Sequence, residues 1–158
     1  MSTLEVRTET PVTEADRAAL HSLFAELGLD TKVAVDGEER RDLSSWALCV
    51  GIPLAYLLTK FVDGYVSKLG ELAAEASVEP AATAGRRLHG WLQRLRATRP
   101  DREITLVVED SETDVTVEIP TTLPPEACAA LWRIDPVRDG GEARCLTWTS
   151  ENGWTAPF

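Results

Sequence analysis

Few residues in this chain could carry chemistry by themselves. His21 and His89 are the only histidines, and neither has a second metal ligand at helical spacing. Asp110, Glu112 and Asp114 alternate in the run DSETD, as at the opening of a calcium loop. The glycine and the closing glutamate that such a loop needs are missing, so these carboxylates are expected to be hydrated and to hold no metal. No Gly-x-Ser-x-Gly elbow, phosphate-cradling glycine loop or plausible Cys–His pair occurs either. The expectation is a protein that is not an enzyme, with no catalytic residue, no cofactor and no metal.

The cysteines point the same way. Cys49, Cys128 and Cys145 are odd in number and widely spaced, with no Cys-x-x-Cys pair. That excludes a disulfide framework and a zinc ribbon and suits a reducing cytoplasm. Cys49 lies in an apolar run and is expected to fill core. The segment Met1 to Pro11 has neither a basic nor an apolar stretch, so no signal peptide is expected.

One cluster of like residues remains. Arg86, Arg87, Arg94, Arg96, Arg99 and Arg102 crowd a single helical segment and its exit, in a chain whose formal net charge is −10. Arg87 and Arg94 are seven residues apart and so stack along one flank of a helix. Two readings follow. The arginines are a solvated face balanced by acids such as Glu71, Glu75 or Glu79, or Arg86, Arg87 and Arg94 form a docking surface for another protein with acidic character. Arginine suits docking because its planar fork grips carboxylates in a fixed geometry. The net charge disfavours nucleic acid and anionic membranes, both of which need basic surfaces.

The elements that must position these residues follow from periodicity. At 158 residues, with 44% hydrophobic and 27% charged, the chain makes one domain, residues 1–158. Leu4 and Val6 alternate with polar residues as a short strand. Thr13 and Asp16 form a capping box ahead of a helix whose buried face is Leu20, Leu23, Phe24 and Leu27, with Gly28 as its stop. Lys32 to Val35 reads as a second strand before the Asp36–Gly37 turn, and Glu38 to Asp42 as a loop or the start of a helix.

Trp46 to Leu58 is apolar all round, and a stripe then runs from Leu54 through Phe61, Tyr65 and Leu69 to Ala73. The expectation is a pair of buried helices with a kink or fresh start at Pro53. Only 13 residues are fully apolar, too few for the ~20 that span a bilayer. After a turn over Ser77 to Ala84, a helix buries Leu88, Trp91, Leu92 and Leu95 and stops at Pro100. Glu103–Glu109 and Asp114–Ile119 form a β-hairpin, and Pro124–Pro125 start a helix that ends at Asp135–Pro136. The last residues turn back at Asn152–Gly153. The fold class is α+β, antiparallel strands and hairpins packed with four to five helices.

The order of parts resembles a known group. A strand and a helix, then WALCVGIPLAYLLTKF, WLQRLRATRP and TLVVEDSETDVTVEI, are similar to small actinobacterial accessory proteins of the effector-associated constant component type, over Leu43 to Ile119. The resemblance implies an interaction module working beside an effector of a bacterial conflict or signalling system, and no catalytic residue to carry over. The alternatives are an acidic immunity or antitoxin-like inhibitor, and an enzyme or small-molecule binder without a recognisable motif. A membrane partner is not expected.

Overall fold

The computed structural model describes residues 3–8, 12–35, 45–69, 80–100 and 103–156. The Asp36–Gly37 turn, the charged run 38–42, the stripe beyond Leu69, and Glu71, Glu75, Glu79 and Arg102 lie outside the described residues. So do the side chains of Val62, Tyr65 and Val66.

Seven strands form one mixed sheet in the order β2-β1-β3-β4-β5-β6-β7: β1 (Leu4–Thr8), β2 (Thr31–Val35), β3 (Ser45–Gly51), β4 (Glu103–Asp110), β5 (Val115–Pro120), β6 (Cys145–Thr149) and β7 (Gly153–Thr155). The helices are α1 (Glu14–Ala25), α2 (Leu54–Leu69), α3 (Pro80–Thr98), α4 (Pro125–Ala130) and α5 (Pro136–Gly140). The sheet is not purely antiparallel as expected. β1/β2, β3/β4 and β5/β6 are parallel, because each pair is joined through helices that carry the chain back to the starting edge. The antiparallel pairs are β1/β3, β4/β5 and β6/β7.

Period-two alternation gives the sheet one covered face. Val6, Val50, Val108, Val117 and Leu146 lie in register across five strands, with Thr8, Leu48, Leu106 and Ile119 in the adjoining row, and all are buried. These rows join the apolar residues of α1–α4 in one continuous core. The opposite rows, such as Arg7, Cys49, Val107 and Glu118, alternate outward. Among the described residues no helix packs on that side.

The segment from Trp46 to Gly51 is therefore a strand and not the first of two helices. An apolar run of this length is ambiguous by periodicity, and here its alternate side chains serve different faces between two neighbouring strands. Cys49 consequently points outward, half-buried, while Cys128 on α4 is the cysteine in the core. Pro53 does mark a fresh helix start, since α2 begins at Leu54 and buries Leu54, Leu57, Leu58 and Phe61. No helix among the described residues is long and apolar enough to cross a membrane.

Local signals fix the other helices. Thr13 and Asp16 make both capping-box bonds. Gly28, at φ 73°, closes α1 with the bonds Leu29 N–H to Phe24 O and Gly28 N–H to Ala25 O. Pro80 opens α3 within the stretch expected to turn, as proline at a first helical position can. Asp135 does not end a helix but caps the short α5, accepting from the backbone N–H groups of Val137 and Arg138.

Helix α3 sits at the centre of the helical layer. Its Leu88, Trp91, Leu92 and Leu95 are buried, each contributing about 1.5–3 kcal/mol by burial. The Trp91 indole donates to Leu23 O at 2.9 Å and meets the rings of Phe24 and Phe61 edge-on. On the other flank a Cβ at Gly85 would fall 2.6 Å from Ala129 Cα, so only glycine lets α3 and α4 approach this closely. Gly90, by contrast, has nothing within 4 Å of where its Cβ would lie.

These two glycines predict opposite outcomes. Gly85→Ala forces the helices apart and should lower stability by about 1–3 kcal/mol, whereas Gly90→Ala should raise it by up to about 1 kcal/mol. Urea unfolding of the two single variants checks the pair.

Candidate functional site

The structure divides the arginine cluster into separate roles. Buried residues take one side of α3, so Arg86, Arg87, Gly90, Arg94 and Ala97 lie exposed on the other, with Arg96 exposed on the opposite flank from Arg87. Arg87 and Arg94 share a flank, as their seven-residue spacing requires, and that flank faces α1 and α2. Arg87 Nη1 donates to the main-chain oxygen of Phe61 in α2 at 2.6 Å. Arg94 Nη2 lies 3.0 Å from the Glu26 carboxylate at the carboxyl end of α1, both side chains about half exposed. Arg86 makes only a 3.4 Å contact with Thr83 Oγ1 on its own helix. Among the described residues neither Arg86 nor Arg96 meets a carboxylate. Among the described residues the acid that meets this face is Glu26, which the sequence did not single out because it is distant along the chain.

Arg99 belongs elsewhere. Its guanidinium grips Asp16 through two hydrogen bonds, Nε to Oδ1 at 2.8 Å and Nη2 to Oδ2, and lies over the Trp46 ring at 5.5 Å. One side chain so joins the start of α1, the end of α3 and β3. The Arg99 hydrogen bonds hold the Asp16 carboxyl down to about 2, against the opposing effect of burial, with further help from the Thr13 N–H.

The remaining polar candidates are accounted for by local bonds. His21 Nδ1 lies 3.5 Å from Thr31 Oγ1, and His89 Nδ1 lies 3.2 Å from Leu123 O. Asp110 is buried and not hydrated as expected, because its Oδ1 accepts from the N–H groups of Glu112 and Thr113 and so caps its own turn. Asp114, in left-handed conformation at φ 60°, pairs with Arg144 at 2.7 Å. Among the described residues no three metal-ligating side chains converge. Burial pushes the Cys128 thiol up to about 12, which makes it a poor nucleophile. An apolar cleft of about 320 Å³ lies between α2 and the segment around Trp132, lined by Leu54, Leu58, Leu131, Trp132, Ile134 and Pro136 among others.

Because Asp16 is more acidic folded than its ordinary 3.8, its contribution is complete above about pH 5 and disappears as the pH falls from about 4 to 2. The loss over that window should be about 2 kcal/mol. Asp16→Asn should be less stable at neutral pH and flatter across the same window, which chemical denaturation at several pH values measures. A wild-type acid limb identical to that of Asp16→Asn would contradict the assignment. Comparison with protein families, with characterised proteins and with solved structures finds no match to this chain.

Proposed function

We propose that this chain is a non-catalytic, cytoplasmic protein–protein interaction module that docks an acidic partner through the outward face of α3. In that role it is an accessory component beside a separately encoded bacterial effector or signalling protein. The observation that carries the reading is charge placed against the trend of the chain. Arg86, Arg87 and Arg94 stand together on one exposed side of the helix while the whole chain carries −10, and Arg96, nine residues from Arg87, lies on the opposite flank. Among the described residues Arg86 meets no carboxylate, and an exposed guanidinium costs nothing in water while it draws in a partner group of opposite sign during encounter.

Arg86 and Arg94 are the residues to test, since Arg87 also ties α3 to α2 through the Phe61 carbonyl. The core side of α3 is independent of both. A second reading, a binder of small apolar molecules, is favoured by the cleft beside Trp132. An immunity-type inhibitor would use the same arginine face and differ in its partner, an enzyme whose activity falls on binding.

Replacing Arg86 and Arg94 together with Glu should abolish capture of the partner from native lysate, while stability changes by less than about 0.5 kcal/mol per site. Arg87→Glu should cost more, about 1 kcal/mol, because it removes the hydrogen bond that ties α3 to the Phe61 carbonyl of α2. Equal capture by the wild type and the doubly reversed variant would sink the arginine-face reading. A large fall in melting temperature of that variant would make the two arginines structural.

A further inference from the structure

Two features of the arginine face break local rules of helix construction, and no close packing among the described residues requires either. The first is Gly90. It lies exposed in the middle of α3, stacked between Arg86 and Arg94 at four-residue intervals, with open space where its Cβ would be. Glycine weakens a helix interior relative to alanine, and here no positive φ or close neighbour calls for it. Gly85 on the same helix shows what glycine does when it is used, since it brings α4 into direct backbone contact.

The second feature is Glu26. It stands at the carboxyl end of α1, where unpaired carbonyls already gather negative charge and a cation is the favoured residue. No basic residue occupies the last turn of α1. The Glu26 carboxylate rests instead on Arg94, in a pair open to solvent on both sides.

We infer that an acidic helical segment of the partner crosses α3 at Gly90, its backbone close against the glycine and its carboxylates on Arg86 and Arg94. Glu26 occupies the place of one of those carboxylates in the free protein. The inference rests on the interaction reading above and names the kind of segment that the face receives. Arg86 and Arg94 are eight residues apart, or ~12 Å along the helix axis. Carboxylates about seven residues apart on a second helix, running nearly along α3, match that distance. The glycine between them removes the side chain that would hold the two backbones apart. Each guanidinium then faces a carboxylate in a geometry suited to paired hydrogen bonds.

The experiment is fluorescence anisotropy with the full chain and a labelled alanine-rich helical peptide of about 20 residues bearing glutamates about seven apart, at low salt. The chain is used as wild type, Arg86→Gln/Arg94→Gln, Gly90→Leu, Gly90→Gln and Glu26→Gln. Support is wild-type binding that weakens at least about tenfold in the arginine variant and in both Gly90 variants. Gly90→Leu should bind less while melting about 2–4 °C higher, a combination that a folding defect cannot produce. Glu26→Gln should bind several-fold tighter. If the arginine variant loses binding while both Gly90 variants keep it, the crossing at Gly90 is overturned and the arginine-face reading stands. An unchanged affinity in Glu26→Gln overturns its role as stand-in. No wild-type binding, or binding indifferent to the arginines, overturns the inference and the docking face together.

Discussion

The indole of Trp91 is the point at which three helices meet. Its N–H is bonded to Leu23 O at the end of α1, and Phe24 and Phe61 present their edges to it from α1 and α2. Because the ring is fully enclosed, α3 cannot roll or slide without breaking a buried hydrogen bond and opening a cavity. Gly85 fixes the opposite flank against α4, and Arg99 fixes the far end through Asp16. The outward face of α3 follows from these three constraints. Its arginines are displayed on a helix whose backbone is held from beneath.

The sheet has a second exposed surface, and its chemistry differs. The outer rows carry charges of both signs, with Arg7 of β1 and Glu109 of β4 joined in an ion pair that spans β3. Cys49, Val107 and Thr116 between them are half-buried by their own neighbours. In these rows Glu5, Glu103, Glu109 and Glu118 outnumber Arg7 and Lys32. Among the described residues the α3 face instead gathers three guanidinium groups, Arg86, Arg87 and Arg94, against one carboxylate, Glu26, which is why charge-based docking is proposed there.

Much of the fold was legible in the sequence where a single local signal decides the outcome. The capping box at Thr13, the stop at Gly28, the helix start after Pro53, the β4–β5 hairpin and the buried face of α3 all appear as read. What was not legible depends on neighbours distant in the chain. Trp46–Gly51 becomes a strand because β1 and β4 flank it, a fact that an apolar run does not carry. Parallel pairing arises from helical connections and not from the strands themselves. Among the arginines, spacing correctly put Arg87 and Arg94 on one flank. It could not separate Arg99, whose partner is 83 residues away, or foresee that Arg87 would be engaged by the Phe61 carbonyl. Glu26 shows in the sequence only as an acid where a helix end favours a cation, and its partner Arg94, 68 residues away, could not be read from spacing.

The proposed docking mode requires that an acidic helix land on the outward face of α3. Amide chemical shifts of the isotopically labelled chain, followed during titration with the acidic helical peptide, test this most directly. The account predicts changes concentrated at Arg86, Gly90, Arg94 and Ala97, and at Glu26 as its carboxylate is released. Changes confined to the outer strand residues around Arg7, Val107 and Glu118, or to the cleft beside Trp132, would contradict it.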